Sequence, residues 1–222
     1  MPTALIFGAS RGLGRALAEE HLKRGWQVIA TVRDETALAD VACDALTIER
    51  VDTTDWTAVD ALHDRLAGRP LDLLFVNAAI VGPSTVPIGE VEPDAFAEMM
   101  LVNVLAPLRI ADRYADLVQP DGTVAVMSSG LGSITLNDTG GYEAYRTSKA
   151  ALDMGLRSIA ARRADQRTWL AVNPGWVQTD MGGPHATLTI AQSIPSMVDM
   201  LESRRGSGGV AFVNYANKDL PW

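Results

Sequence analysis

A tyrosine and a lysine are spaced so that they could act together on one proton. Tyr145 precedes Lys149 by four residues in a segment with helical periodicity, so both side chains lie on one face of the helix, about one turn apart. A phenol with its ordinary pKa of about 10 is a poor base at neutral pH unless nearby positive charge stabilises the phenolate. The pair therefore predicts acid–base chemistry on oxygen. The alternative is a tyrosine and a lysine that merely pack on the helix surface.

Two further polar positions lie upstream of this pair. Ser128 and Ser129 follow an apolar run at 123–127, where a serine hydroxyl could donate to a substrate oxygen and stabilise charge developing there. Asn103 lies within the apolar segment Leu101-Val102-Asn103-Val104. A buried amide is unfavourable unless it is hydrogen-bonded, so this position favours a role in a site.

A glycine-rich segment, Gly8-Ala9-Ser10-Arg11-Gly12-Leu13-Gly14, directly follows the first apolar run. Glycines let the backbone approach a pyrophosphate closely, and the helix that follows presents free N–H groups to it. The alternative is a tight turn without a ligand. Together with the tyrosine, lysine and serine, in this order, the segment predicts hydride chemistry on a carbonyl group with a dinucleotide cofactor.

The elements that position these residues are predicted from apolar runs that alternate with helix-period segments. Several runs are apolar at consecutive positions, which is typical of parallel strands covered on both faces. The sequence predicts an α/β fold: a Rossmann-type doubly wound parallel sheet of about seven strands, with helices on both faces, in one domain over 1–222. The predicted strands are 4–7, 27–32, 46–51, 71–76, 123–127, 168–172 and 210–213.

The bulk properties limit the classes of partner. The chain has 222 residues, 47% of them hydrophobic, and a net charge of -8 without a Lys/Arg run, which argues against nucleic acid and anionic membranes. No apolar stretch reaches the ~20 residues of a membrane span, and no signal peptide is recognisable, so we expect a cytoplasmic protein. The single cysteine, Cys43, and the scattered histidines predict no metal site.

These motifs resemble those of the classical short-chain dehydrogenases/reductases, over essentially the whole chain. Within that family the chain is most similar to the C-factor-like and sniffer-like carbonyl reductases. The segments that carry this closer resemblance are Ser128-Ser129-Gly130-Leu131-Gly132-Ser133-Ile134, Gly140-Gly141-Tyr142 with Tyr145-Arg146 and Ser148-Lys149, Pro174-Gly175-Trp176-Val177-Gln178-Thr179-Asp180-Met181-Gly182-Gly183, and Leu220-Pro221-Trp222.

The resemblance implies a catalytic set of Asn103, Ser129, Tyr145 and Lys149. Tyr145 would be the general acid or base, and Lys149 would lower its pKa and hold the nicotinamide ribose. Ser129 would bind the substrate oxygen, and the main-chain carbonyl of Asn103 would hold a water molecule. Family members commonly place the serine 13 residues before the tyrosine, whereas Ser129 is 16 residues before Tyr145. We infer a longer loop, with Ser128 and Ser133 as minor alternatives.

The cofactor favoured is NADP(H), with NAD(H) as the alternative. Val32 holds the place of the acid that NAD enzymes use, and Arg33 and Arg11 could clamp a 2'-phosphate. Asp34 could instead accept from a ribose hydroxyl, and Asp52 would bind the adenine or cap a helix at Thr53-Thr54. The predicted cofactor-binding residues are Gly8, Ser10, Arg11, Gly12, Leu13, Gly14, Arg33, Asp52, Thr53, Asn77, Ala78, Ala79, Tyr145, Lys149, Pro174, Gly175, Val177 and Thr179.

One motif departs from the family pattern, since Val76 and Ala79 replace an asparagine and a glycine that are common after the fourth strand. We expect weaker cofactor binding or lower stability from these changes. The region 175–202 is predicted to be an abbreviated substrate lid with one helix, Leu188 to Leu201, over an open, permissive pocket.

The function predicted is NADP(H)-dependent interconversion of an aldehyde or ketone with an alcohol, in a homodimer or homotetramer. Two alternatives stay open: a cofactor-binding signalling or regulatory protein of C-factor type, and another reaction at the same site, such as epimerisation or dehydration.

Overall fold

A seven-stranded parallel sheet is the centre of the molecule, as predicted. The computed structural model describes residues 1–41 and 43–222. The sheet order is β3-β2-β1-β4-β5-β6-β7. β5 begins five residues earlier than predicted, and its register against β4 shifts between Leu71 and Leu73. The strands are β1 (Thr3–Phe7), β2 (Gln27–Val32), β3 (Leu46–Arg50), β4 (Leu71–Val76), β5 (Val118–Met127), β6 (Thr168–Asn173) and β7 (Val210–Asn214).

Six α-helices connect and cover the strands. α1 begins at Gly12, within the glycine-rich segment, and α6 begins two residues after the expected Leu188. Pro93 is the first residue of α3, but this helix continues into a π-helical segment, Leu101–Leu105, before α4 begins. The helices are α1 (Gly12–Lys23), α2 (Trp56–Arg65), α3 (Pro93–Met100), α4 (Ala106–Tyr114), α5 (Glu143–Arg163) and α6 (Ile190–Arg204).

Consecutive apolar residues in the strands are explained by two cores, one on each face of the sheet. Leu5 and Phe7 of β1 point into a core that is closed by α2, α4 and α5. Ala4 and Ile6 point to the other face, where α1 and α6 close a second core. Because side chains alternate along a strand, only a strand buried on both faces needs apolar residues at every position. The fold is therefore a Rossmann-type α/β domain.

The strand order reverses between β1 and β4, which are neighbours in the sheet. In open α/β sheets a ligand crevice lies at such a reversal, beyond the carboxyl ends of the strands. The glycine-rich segment follows β1, and Asn77 follows β4, so both lie at this crevice. Within the described residues, no helix is long and apolar enough to cross a membrane.

Candidate active site

The glycine-rich turn shows two different reasons for its glycines. A Cβ on Gly14 would lie 2.1 Å from the carbonyl oxygen of Gly8, and a Cβ on Gly8 would lie 2.9 Å from the backbone nitrogen of Ala78. These two positions are fixed by contacts within the protein. Gly12 has a φ of +56°, yet a Cβ there would meet only the methyl group of Thr179, at 3.9 Å. The backbone conformation, and not crowding, requires glycine at this position.

The start of α1 fits an anionic group. Arg11 is the N-cap residue, and no described side chain caps the helix; its first turn also carries no acidic residue. The first N–H groups of an α-helix lack partners within the helix and attract anions. Ser10, Gly12 and Leu13 are half-buried around this turn. A pyrophosphate is the group that this arrangement suits.

Asn77 ties the turn to the end of β4. Its side-chain amide donates to the carbonyl oxygen of Gly8 at 2.9 Å, and its main-chain N–H donates to Phe7. Val76 is fully buried in the apolar core. Apolar packing therefore takes the place of the polar contacts that an asparagine, common at this position in the family, would make. Ala78 and Ala79 are half-buried beside the turn.

The residues after β2 and β3 carry charge at the outer end of the crevice. Arg33 is exposed and makes no salt bridge with the described residues, although its charge helps to lower the pKa of Asp52. The Asp34 carboxylate accepts from the main-chain N–H and the hydroxyl of Thr36, and these bonds lower the pKa of Asp34. One oxygen of Asp34 is thus already engaged within its own turn.

The expectation that Asp52 caps a helix at Thr53-Thr54 is wrong. Asp52 accepts from the N–H and hydroxyl of Thr54 in a turn before the helix. The N-cap of α2 is Asp55, which accepts from the N–H groups of Thr57 and Ala58. Two residues separate Asp52 from the cap because the chain makes a turn between β3 and α2. Thr53 is buried in this turn.

Arg11, the expected second arm of a clamp with Arg33, pairs with a carboxylate of another loop. Its guanidinium donates to Asp180 at 2.6 Å, and both side chains are mostly exposed. The pair links the glycine-rich turn to the loop after β6. An exposed ion pair of this kind contributes little to stability.

The loop after β6 is held in shape by its own hydrogen bonds. Gly175 has a φ of +80°, and Pro174 accepts from the buried hydroxyl of Ser193 at 2.7 Å. The Thr179 hydroxyl donates to Val177 at 3.3 Å and accepts from Gly182 at 3.1 Å. These bonds fix Val177 and Thr179. The loop lies near the start of α1, since the methyl group of Thr179 is 3.9 Å from the position that a Cβ on Gly12 would occupy.

Tyr145 and Lys149 lie on one face of α5, as predicted from their spacing. The ammonium nitrogen of Lys149 is 5.7 Å from the centroid of the Tyr145 ring, and it donates to the carbonyl oxygen of Met127, the last residue of β5, at 2.8 Å. Lys149 is 1% exposed. The lysine therefore connects the helix to the central strand beneath the tyrosine.

Burial dominates the ionisation of both groups. It raises the pKa of Tyr145 to about 12, and the Ser129 hydroxyl beside the phenol acts in the opposite direction. Burial also lowers the pKa of Lys149 to about 8. The lowered phenol pKa expected from Lys149 is thus not found: burial raises the pKa of Tyr145, and only the Ser129 side chain opposes it.

Ser129 begins the short turn that brings a hydroxyl to the phenol. It is the N-cap of a 3₁₀ turn, Gly130–Gly132, and its Oγ accepts from the N–H of Leu131 at 3.2 Å. Ser133 instead donates to the carbonyl oxygen of Pro221 at 2.6 Å. The longer loop inferred from the serine–tyrosine spacing runs through Gly140 and Gly141, which are exposed and have positive φ.

Asn103 lies at the centre of the π-helical segment and is fully buried. Its side chain accepts from the N–H of Ile80 and donates to the carbonyl oxygen of the same residue, both at 2.8 Å. It also donates to the hydroxyl of Ser148 at 3.2 Å. Asn103 therefore joins the loop after β4 to the residue next to Lys149. π-Helical turns are rare and frequently lie at functional sites.

Three polar residues of this region are not among the site residues predicted from the sequence. Thr31 accepts from the N–H of Gly8 at 3.2 Å, and Ser148 links Asn103 to α5. Asp153 is buried one helical turn beyond Lys149. Its position four residues after Lys149 was the available signal for Asp153, and Ser148 lies in a segment that carries the family resemblance. Thr31 lies among ordinary strand residues. Over residues 1–41 and 43–222, no group of three or more metal-ligating side chains could hold a metal ion.

Comparison with known proteins gives a family match. The model of the short chain dehydrogenase family matches residues 2–187. The C-signal protein of Myxococcus xanthus is 35% identical over 156 residues, which cover 69% of this chain and 93% of that protein.

Two solved structures extend the comparison. A Burkholderia multivorans protein described as a short-chain dehydrogenase/reductase, with bound NADP, superposes with a TM-score of 0.96 at 46% identity, over 100% of this chain and 99% of that chain. The carbonyl reductase Sniffer of D. melanogaster superposes with a TM-score of 0.89 at 29% identity, over 100% of both chains. The resemblance inferred from the motifs, to C-factor-like and sniffer-like proteins, is confirmed.

Proposed function

Since this chain belongs to the short-chain dehydrogenase/reductase family, we propose that it is an NADPH-preferring carbonyl reductase that interconverts an aldehyde or ketone with an alcohol. The observation that carries the proposal is the arrangement of Tyr145, Lys149 and Ser129: a half-buried phenol whose pKa is raised, with a serine hydroxyl beside it and a buried lysine ammonium group next to its ring.

Each residue has a separate task in reduction. NADPH, when bound, supplies the hydride that forms the new C–H bond at the carbonyl carbon. As the electrons of the C=O double bond move to oxygen, Tyr145 donates its phenolic proton to that oxygen, and Ser129 donates a hydrogen bond to it. The positive charge of Lys149 stabilises the phenolate that remains. Asn103 holds the helix beside Ser148 and supports the return of a proton.

The proposed cofactor site follows the carboxyl edge of the sheet. The pyrophosphate would lie at the start of α1, the adenine end near the residues after β2 and β3, and the nicotinamide end near the loop after β6. The residues we assign to it are Gly8, Ser10, Arg11, Gly12, Leu13, Gly14, Arg33, Asp52, Thr53, Asn77, Ala78, Ala79, Tyr145, Lys149, Pro174, Gly175, Val177 and Thr179. A related structure contains NADP, which supports this assignment.

An exposed apolar rim supports apolar or aromatic carbonyl substrates. Ile134, Leu136 and Tyr142 follow β5, and Trp176 and Met181 follow β6; all five side chains are largely exposed. Large apolar side chains that cluster at the carboxyl edge favour an apolar ligand. The region 175–202, with α6 as its one α-helix, would act as an abbreviated lid.

The test is NADPH oxidation by the purified protein over a panel of aldehydes, ketones and quinones, in parallel with Tyr145→Phe. We expect turnover that is greatest with aromatic carbonyls. Tyr145→Phe should reduce kcat by about 10²–10⁴-fold, because it removes the proton donor, and should still bind NADPH. Wild-type turnover that survives in Tyr145→Phe would contradict the mechanism.

NADPH preference is tested separately by Arg33→Ala. Arg33 has no described salt-bridge partner, whereas one oxygen of Asp34 is engaged by Thr36, so the guanidinium is the freer of the two groups near the ribose 2'-position. We expect KM for NADPH to rise by about tenfold or more, with KM for NADH little changed. The exposed Arg69, replaced by alanine, is the matched control. An unchanged NADPH/NADH ratio in Arg33→Ala would contradict the clamp.

The similarity to the C-signal protein favours one other function, a signalling or regulatory protein that binds cofactor with little turnover. Binding of NADPH without turnover of any carbonyl in the panel would support it. Turnover without net consumption of cofactor would instead indicate epimerisation or dehydration.

A homodimer is proposed through the helices that carry Asn103 and Tyr145. Leu101 and Leu105 are exposed on this surface, whereas Leu152 and Leu156 are buried and serve the core. Sedimentation of wild type and Leu105→Glu tests the interface, since a charge there should shift a dimer toward monomer.

A further inference from the structure

Asp153 is a buried carboxyl group on the catalytic face of α5. Tyr145, Lys149 and Asp153 follow each other at intervals of four residues, so they form one row along the helix. Asp153 is 4% exposed. Among the described residues, neither of its carboxylate oxygens has a hydrogen-bond partner. A buried carboxylate without partners is strongly unfavourable, so its presence in this row requires an explanation.

The turn that carries Ser129 packs directly on Asp153. A Cβ on Gly132 would lie 2.8 Å from Oδ2 of Asp153 and 3.1 Å from Cβ of Lys149. The hydroxyl of Ser128, which directly precedes Ser129, is also buried and has no hydrogen-bond partner among the described residues. It nevertheless lowers the pKa of the Asp153 carboxyl. The carboxyl group is thus enclosed between α5 and the turn, directly behind the site.

Lys149 is the charged group that acts on Asp153, and the turn contributes the neutral hydroxyl of Ser128. Burial raises the pKa of Asp153 to about 7, while Ser128 and Lys149 lower it. In return, Asp153 raises the pKa of Lys149 against the lowering effect of burial. The two groups therefore favour each other's charged forms, although no salt bridge within 4 Å joins them.

We propose that Asp153 is a positioning residue that keeps Lys149 in its ammonium form behind the turn that carries Ser129. This proposal rests on the proposed reductase function. A buried ammonium group tends to lose its proton. A carboxylate one helical turn away opposes that loss without contacting the substrate or the cofactor.

The direct test is NMR titration of protein labelled with ¹³C-lysine. The chain has three lysines, Lys23, Lys149 and Lys218, and Lys149→Arg identifies the resonance of Lys149. In Asp153→Asn we expect the titration midpoint of Lys149 to fall by about half a pH unit or more, a change of about threefold in its protonation equilibrium. Asp165→Asn, a half-buried aspartate beyond the end of α5, is the matched control and should leave the midpoint unchanged. An unchanged midpoint in Asp153→Asn overturns the proposal.

Kinetics give a second readout. In Asp153→Asn, the fall of kcat at alkaline pH should move to lower pH, with KM for NADPH unchanged. A uniform loss of kcat at every pH would indicate only a structural role and would overturn the proposal. Asp153→Ser removes the same carboxylate and replaces the amide variant if that variant does not fold. If the wild type reduces no carbonyl, the proposed function fails, whereas the lysine titration still decides whether the pair is coupled.

Discussion

The two ends of α5 carry their charges in opposite ways. Between its start and its centre, Lys149 and Asp153 are nearly completely buried, with Lys149 close to the Tyr145 ring and Asp153 against Gly132 of the Ser129 turn. In its last turn, Arg162 is exposed and Arg163 is half-buried, and both pair with aspartates of α4 and of the turn after it. Arg162 follows Lys149 by 13 residues, so the two regions are about 20 Å apart along the helix axis.

The difference explains why the larger collection of charges is not the candidate site. The distal end borders a cavity of about 560 Å³ whose lining is entirely charged: Asp60, Arg109, Asp112, Arg113, Asp116, Arg162 and Arg163. Its ion pairs are partly exposed, so water screens them. At the proximal end, burial moves the pKa of Lys149 to about 8 and that of Asp153 to about 7. Burial, and not the number of charges, brings ionisable groups into the physiological pH range.

Replacing the buried lysine gives the largest expected effect. Lys149→Met should reduce kcat by about 10²-fold or more, because the phenolate loses its stabilising charge. The same variant no longer has to desolvate a buried ammonium group, and Asp153, without its charged neighbour, should take up a proton, so the variant should be more stable at pH 7 by about 1–3 kcal/mol. Activity assays and chemical denaturation measure the two effects, with the exposed Lys218→Met as control. A variant that is less stable and still active would contradict the contrast between the two ends.

The sign of this stability effect also fixes its pH dependence. The pKa of Lys149 is about 8 in the folded protein, against 10.5 for an ordinary lysine. Between these values the unfolded chain binds more protons, so the stability of the wild type relative to Lys149→Met should rise with pH across that window and be lost as pH falls through 8. A flat difference between pH 8 and 10.5 would show that burial does not shift Lys149.

A smaller effect is expected in the pH profile of reduction. kcat should fall above pH of about 8 as Lys149 loses its proton, while Tyr145, with a pKa raised to about 12, stays protonated. Initial rates at saturating NADPH between pH 6 and 10 measure this limb. Lys218→Met should reproduce the wild-type profile. A profile that remains flat to pH 10 would mean that the charge of Lys149 is not needed for the step.

The sheet and the proximal site could be predicted because their signals are local. Apolar runs of strand length identify all seven strands, and helix periodicity alone brings Tyr145 and Lys149 together. The glycine pattern predicts the turn after β1, where Gly8 and Gly14 prove to have no room for a side chain.

The remaining features depend on contacts between distant segments. The π-helical turn at Asn103 accompanies hydrogen bonds to Ile80 and Ser148 that no local pattern encodes. Likewise, the phenol pKa was predicted from the spacing of Tyr145 and Lys149 alone, whereas burial by the surrounding fold reverses its direction. Asp153 continues the four-residue interval of Tyr145 and Lys149, but its burial becomes visible only when the Ser129 turn packs on it.

The smallest effect is expected at the distal end, from Arg162→Ala. Its ion pair with Asp112, at 2.6 Å, joins side chains that are 61% and 36% exposed, so its loss should lower the free energy of unfolding by less than about 1 kcal/mol. High salt should reduce the difference in unfolding free energy between wild type and variant further, because salt screens the ion pair of the wild type. Denaturation at low and high salt measures the effect, and kcat is measured in parallel. Because no reacting group lies at this end, kcat should not change; a clear loss of kcat would show that the exposed charges are coupled to the buried row along α5.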